Sequence, residues 1–264
     1  MAGPTTAERG ERQQESSGPP SARGPGRARL RAVVVLAVAV VLLAAGTGWV
    51  LYGSGWLRVE HVSVSGTRVL TPADVREAAS VPVGAPLVSV DTGAVEARLR
   101  RRLPRVDTVD VVRSWPHGIA LEVTERTPVL LIREAGNFVE VDGEGVRFAT
   151  VSRAPKAVPA LELTASRTGP AAASLRRFGT DRLRREAVRV AGDLPSAVAR
   201  DTRGVRVRSY DDITLELGGG RTVAWGSGGS GGAKARALTA LMKAVPGARH
   251  FDVSVPTAPA ASGS

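Results

Sequence analysis

The sequence predicts an α+β protein: a single N-terminal transmembrane helix, a β-α-α-β-β module, and a β-rich second domain with a C-terminal helix and a closing edge strand. Three observations carry this prediction. Residues 32–52 (AVVVLAVAVVLLAAGTGWVLY) form an apolar run without a charge. Residues 57–127 switch twice between strand-like alternation and helix-like spacing within one small module. Past Pro128, short alternating apolar segments recur between Gly-containing turns, with two helical stretches among them.

The apolar run has 21 residues. At about 1.5 Å per residue a helix of that length spans roughly 30 Å, the thickness of a bilayer's hydrocarbon core. Arg23, Arg27, Arg29 and Arg31 crowd its N-terminal side, and no charge follows it until Arg58. The positive-inside rule therefore keeps residues 1–31 cytoplasmic and exports everything after Tyr52, a single-pass type II topology. Trp49, Tyr52 and Trp56 lie where an outer aromatic belt would form. A cleaved signal peptide is the competing reading, since Ala44-Ala45-Gly46 offers small residues. The long segment before the run, and a core exceeding the roughly 7–15 apolar residues of a secretory signal, favour a retained anchor. Residues 1–31 are rich in Pro, Gly, Ser, Arg and Glu, so a disordered tail is expected, and residues 257–264 read the same way.

Net charge is +11, and six Arg against three Glu put +3 of it in the first 31 residues. The rest falls on the exported part, which meets no nucleic acid in this topology. Its weak implication is attraction to anionic head groups or wall polymers. The chain has no cysteine, which excludes disulfides, a thiol nucleophile and Cys-based metal sites.

In the module, Val59, Val62 and Val64 mark a short strand ending at Ser65-Gly66. Thr71-Pro72-Ala73-Asp74 is a helix start: an N-cap, Pro at the first helical position, and an acidic residue three on from the cap. That helix covers 72–79. A Pro/Gly loop (81–86) leads to a second helix capped by Asp91 or Thr92, with Val95, Leu99 and Leu103 on one face, ended by Pro104. Strands at 106–113 and 119–125 follow, joined at Trp115-Pro116-His117-Gly118. Arg113 and Glu125 on these strands are expected to pair, and Trp115 to cover the sheet edge.

In the second domain, strands are expected at 129–132, 138–142 and 146–149. The acidic Asp142-Gly143-Glu144-Gly145 reads as a hairpin turn, because it lacks the spacing of a calcium loop. Residues 182–191 read as an Arg-rich amphipathic helix, then 204–208, 213–217 and 221–225 as strands. The run Gly226–Gly232 precedes a helix at 233–245 and reads as a flexible loop; a phosphate site would need a closing Gly-Lys-Ser/Thr. Finally Phe251, Val253 and Val255 alternate, and Pro256 stops the strand. As the last strand it is expected at a sheet edge, open to pairing with another chain.

No catalytic, cofactor or metal site is predicted. The histidines 61, 117 and 250 lack ligand spacing, His250 with Asp252 is at most half a triad, and no Ser occupies a nucleophile elbow.

Five words in order carry a family resemblance: Val62-Ser63-Val64-Ser65-Gly66, Gly84-Ala85-Pro86-Leu87, Arg98-Leu99 through Leu103-Pro104, Val111-Val112-Arg113-Ser114-Trp115-Pro116, and Val123-Thr124-Glu125-Arg126-Thr127-Pro128-Val129. With the β-α-α-β-β order of a POTRA domain, they resemble the FtsQ/DivIB family of bacterial division proteins over about residues 56–151 and again near the C-terminus. The resemblance implies a POTRA domain at 57–127 and a β domain at 128–256. It implies a non-enzymatic divisome scaffold at the division septum, linking early division proteins to the late septal wall-synthesis complex. The implied partners are FtsB/DivIC-like and FtsL-like coiled-coil proteins, with other divisome membrane proteins reached through the POTRA and transmembrane regions. The implied contact residues are Phe251, Asp252, Val253, Ser254 and Val255 of the closing strand, with Trp225 either an aromatic anchor beside it or a core residue. Family members usually carry a more polar loop than Gly226–Gly232. The alternatives are a POTRA-containing export or transport component, and a membrane-anchored wall-modifying enzyme.

Overall fold

The computed structural model describes residues 26–53, 55–164 and 169–263. It divides into two compact units, Met1–Ser54 and Gly55–Ser264. In the first, helix α1 (Gly26–Gly48) runs into a π-helical turn (Trp49–Gly53). The stretch Arg29–Gly53, 25 residues, is long and apolar enough to cross a membrane, and none of it is buried. Part of the expected disordered tail is therefore helical: Gly26 to Arg31 belong to α1. Arg, Ala and Leu there are good helix formers, so the apolar run's helix propagates into them. The remaining 25 residues of that expected tail lie outside the described residues.

The second unit opens with strand β1 (His61–Ser65) and helix α2 (Pro72–Ala79). The cap forms as the sequence suggests: Asp74 N–H donates to Thr71 Oγ1 at 3.1 Å, and Thr71 N–H to Asp74 Oδ2 at 3.2 Å. Helix α3 (Thr92–Arg102) starts at Asp91, whose carboxylate accepts from Ala94 N–H at 2.9 Å. Strands β2 (Val106–Ser114) and β3 (Gly118–Glu125) complete a three-stranded sheet in the order β1-β3-β2, with β1 parallel and β2 antiparallel to β3. Val59, Val75, Leu87, Leu99, Ile119 and Leu121 are fully buried between sheet and helices. Burying each such side chain contributes about 1.5–3 kcal/mol. Gly66 is required: its φ is +82°, and a Cβ there would lie 2.0 Å from Val123 O.

Two expectations fail here. Arg113 and Glu125 do not pair, because the hairpin register sets them at opposite ends, Arg113 beside Ile119 and Glu125 beside Val106. Arg113 donates instead to the carbonyls of Leu87 (3.1 Å) and Val90 (2.6 Å). Trp115, in the β2–β3 turn, is 52% exposed and so covers little of the sheet.

Past Pro128 a nine-stranded mixed sheet forms from β4 (Leu130–Glu134), β5 (Asn137–Val141), β6 (Arg147–Val151), β7 (Ala160–Leu163), β8 (Thr202–Ser209), β9 (Asp212–Leu217), β10 (Thr222–Gly226), β11 (His250–Asp252) and β12 (Ala260–Ser262). The order is β12-β11-β10-β9-β8-β7-β4-β5-β6. Helices α4 (Gly169–Asp193, broken at Gly179), α5 (Ser196–Asp201) and α6 (Gly231–Ala244) accompany it. α4 and α6 pack on the sheet and on each other over a second core centred on Leu183, Leu215, Trp225, Leu238 and Phe251. The Asp142–Gly145 segment is a hairpin turn, as expected: Asp142 Oδ1 accepts from Glu144 and Val146 N–H.

Ion pairs join the two sheets. Arg105 donates to Glu140 at 2.6 Å and lies over the Phe148 ring, 5.2 Å from its centre. Arg126 pairs with Asp142, with Asp107 at 3.3 Å and with Glu144 at 3.6 Å.

Candidate partner-binding edge

The six residues singled out from sequence gather at one end of the nine-stranded sheet, but in two different environments. Alternation sends Phe251 and Val253 into the core, where both are almost completely buried. Val253 N–H donates to Ala224 O at 3.0 Å, so the backbone stays tied to β10 beyond the strand's formal end. Asp252, Ser254 and Val255 are exposed. Asp252 Oδ1 accepts from Ser254 N–H at 2.9 Å and Ser254 Oγ–H at 2.7 Å, a local turn in which a short side chain replaces a strand partner.

Trp225 belongs to the core. It is fully buried, and its indole N–H finds no acceptor among the described residues. A reading of Trp225 as an exposed anchor is corrected by this burial. Sequence reasoning missed the residue that holds this corner together. Lys234, on α6 and 2% exposed, donates from Nζ to Trp225 O and Ser227 O, each at 2.8 Å. Burial pushes its pKa down, with the charge of Asp211 opposing. The period of α6 offered a faint signal, since Lys234 and Leu238 share a helical face and are both buried.

The closing strand is not the sheet edge. β12 lies outside it, antiparallel, with His250 opposite Ser262, Phe251 opposite Ala261 and Asp252 opposite Ala260. Arg249 N–H adds a 2.7 Å bond to Gly263 O. The expected disordered tail 257–264 thus contains a strand. Nothing in Ala260-Ala261-Ser262 signals one, because backbone pairing holds it with little side-chain burial.

The Gly226–Gly232 run, expected as a flexible loop, is packed against α4 at Gly228 and Gly231 while Gly229, Ser230 and Gly232 are exposed. A Cβ on Gly228 would lie 2.1 Å from Glu186 Oε2, and one on Gly231 would lie 1.9 Å from Asp193 Oδ2. The glycines let the loop close against α4. The half-triad does not assemble either: His250 Nδ1 meets Thr222 Oγ1 at 2.8 Å, while Asp252 is engaged by Ser254. Among the described residues no cluster of His, Cys, Asp or Glu could hold a metal ion.

What the arrangement offers chemically is main-chain recognition at a sheet end: a core-anchored strand, β11, beside a short strand that contributes little beyond backbone. The family model described as "POTRA domain, FtsQ-type" matches residues 57–126. Over all 264 residues, and all of each relative, the chain is 81% identical to the cell division protein FtsQ of Streptomyces collinus and 75% identical to that of Streptomyces coelicolor. A more distant FtsQ, from Mycobacteroides abscessus, is 33% identical over 239 residues, 90% of this chain and 72% of that one. Among solved structures, the major extracytoplasmic domain of the trans isomer of the division protein DivIB from Geobacillus stearothermophilus is 16% identical. The match covers 47% of this chain and 96% of that chain, with a TM-score of 0.32. At this identity and coverage, the chain belongs to the FtsQ family of bacterial cell division proteins.

Proposed function

We propose that this division protein is a non-enzymatic scaffold, anchored by α1 with its N-terminus in the cytoplasm and concentrated at the division septum. Its bulk, outside the membrane, binds FtsB/DivIC-like and FtsL-like partners and so links early division proteins to the late wall-synthesis complex. The POTRA module and the membrane segment serve recruitment, and the β domain, residues 128–256, serves the partners. The observation that carries this is the C-terminal end of the nine-stranded sheet. There Phe251 and Val253 fasten β11 to the core while the backbone next to it is held only by a three-residue strand. Exposed strand backbone recruits extended segments of other chains. The Arg-rich flank before α1 supports the orientation.

The test is the location of full-length protein tagged at its N-terminus, beside a version ending at Pro128. Rings at division sites from both would assign recruitment to the anchor and POTRA half. Uniform membrane fluorescence from the full-length chain would refute the septal role. Orientation is read separately by introducing single cysteines, Ser17→Cys or Thr257→Cys, into a chain that has none. A membrane-impermeant thiol reagent should label only the second in intact cells.

A further inference from the structure

We infer that β12 is a built-in, displaceable occupant of the partner edge, and that a partner strand docks on β11 by replacing Ala260–Ser262. This rests on the partner reading above and adds to it how the edge is kept closed. β12 pairs with β11 through three residues. Of these, Ala261 is half-buried and Ala260 and Ser262 are exposed. Ala and Ser are weak strand formers, so the strand's hold is almost entirely backbone hydrogen bonding. β11 does not depend on it: Phe251 and Val253 are seated in the core, β10 pairs with β11 in parallel from the other side, and Val253 N–H reaches Ala224 O. Removing β12 therefore uncovers a ready strand edge without unpacking the core. An unpaired edge invites indiscriminate pairing, and a short cover strand prevents it.

The tethered segment competes at an effective concentration on the order of millimolar, so a displacing strand must pair over more residues or bury more side chain. The edge defines that strand. It runs antiparallel to β11, places an apolar residue opposite Phe251 where Ala261 now sits, and carries acidic residues beside Arg249 and His250. The surplus of positive charge beyond the N-terminal tail likewise favours an acidic partner.

The experiment uses the full chain in detergent and, as probe, the purified extracytoplasmic segment of the FtsB/DivIC-like protein from the same cells. It compares the parent, a chain ending at Pro256, and a His250→Cys/Ser262→Cys chain, oxidised or reduced. His250 and Ser262 stand directly opposite each other, and the Cα spacing of about 5.5 Å across a hydrogen-bonded antiparallel pair lies within the range a disulfide spans. The truncated chain should bind about tenfold tighter or more, since the competent state no longer has to open. The oxidised lock should lose binding, and reduction should restore it. Binding by the oxidised lock equal to the parent's, or weakened binding on truncation, would overturn the inference and leave the scaffold reading standing. Truncation that yields dimers in place of partner binding would overturn it too. No binding by any sample would instead refute the partner assignment. Hydrogen exchange on the parent gives a partner-free check: the Ala260 and Ser262 amides, which face β11, must exchange at least tenfold faster than those of β9 and β10, and equal protection would overturn the inference.

Discussion

At Lys234 an ammonium is buried where α6 meets the end of β10, with two main-chain carbonyls as its acceptors. Such a group is retained because the carbonyls of Trp225 and Ser227 would otherwise lack this donor at the point where the strand leaves the sheet. Lys234→Met keeps the side-chain volume and removes the donor. The expected cost is about 1–3 kcal/mol, the penalty for leaving buried carbonyls unsatisfied. Lys234→Ala should cost more, because a cavity is added. Urea unfolding followed by tryptophan fluorescence checks both, and a Met variant as stable as the parent would show that the bonds contribute nothing. At this scale the sequence was half legible. The alternation of Phe251 and Val253 revealed which side chains enter the core. Burial of Trp225 was undecidable, because an aromatic at a strand end serves a core and an interface equally well. Lys234 left only a helical-period trace, since an ionisable residue on a buried face is ordinarily read as a solvated one.

Elements were the most legible scale wherever side-chain pattern made them and the least where backbone did. The Thr71 cap, both module helices and β1 to β3 follow from local chemistry. β12 does not, because Ala260-Ala261-Ser262 pairs through amides that every sequence possesses. The Glu125 carboxylate is another case. It was expected to meet Arg113, yet it accepts from the N–H groups of Arg68 (2.7 Å), Val69 (3.0 Å) and Leu70 (3.0 Å), tying the β1–α2 connection to the end of β3. Burial alone would raise its pKa. The three N–H donors and the nearby Arg105 charge outweigh burial and hold it below the usual value of 4.5. A carboxyl depressed in the folded state adds stability above its unfolded pKa, and that stability is lost as pH falls through the lower folded value. The parent should therefore lose stability to this group as pH falls below about 4.5. Glu125→Gln should be less stable at pH 7 and show a shallower acid loss over that window. Thermal melts at a series of pH values read both slopes, and parallel acid losses would remove Glu125 from the account.

Across the whole molecule, two sheets with separate cores are held together by charge. Neither core reaches across the junction, so the sequence could place both modules without showing what joins them: Arg105 and Glu140 are 35 residues apart, Arg126 and Asp142 are 16. Burial works against the charged Arg126, but its hydrogen bond to the Asp142 carboxylate and the charges of Asp142, Asp107 and Glu144 prevail and raise its pKa. The pair is thus a coupling between bodies more than a contribution to either. Arg126→Met strands the almost fully buried Asp142, and breaking a buried ion pair on one side costs about 3–5 kcal/mol. The double change Arg126→Met/Asp142→Asn should recover part of that loss, because no uncompensated charge remains. In hydrogen exchange, the single variant should deprotect Arg126, Val129 and the β5–β6 turn while the amides of β3 and β9 keep their parent rates. If β3 and β9 loosen equally, the ion pair supports the folds themselves. If only the junction loosens and septal localisation persists while partner binding fails, recruitment by one module must be relayed to the other through a rigid Arg126–Asp142 joint.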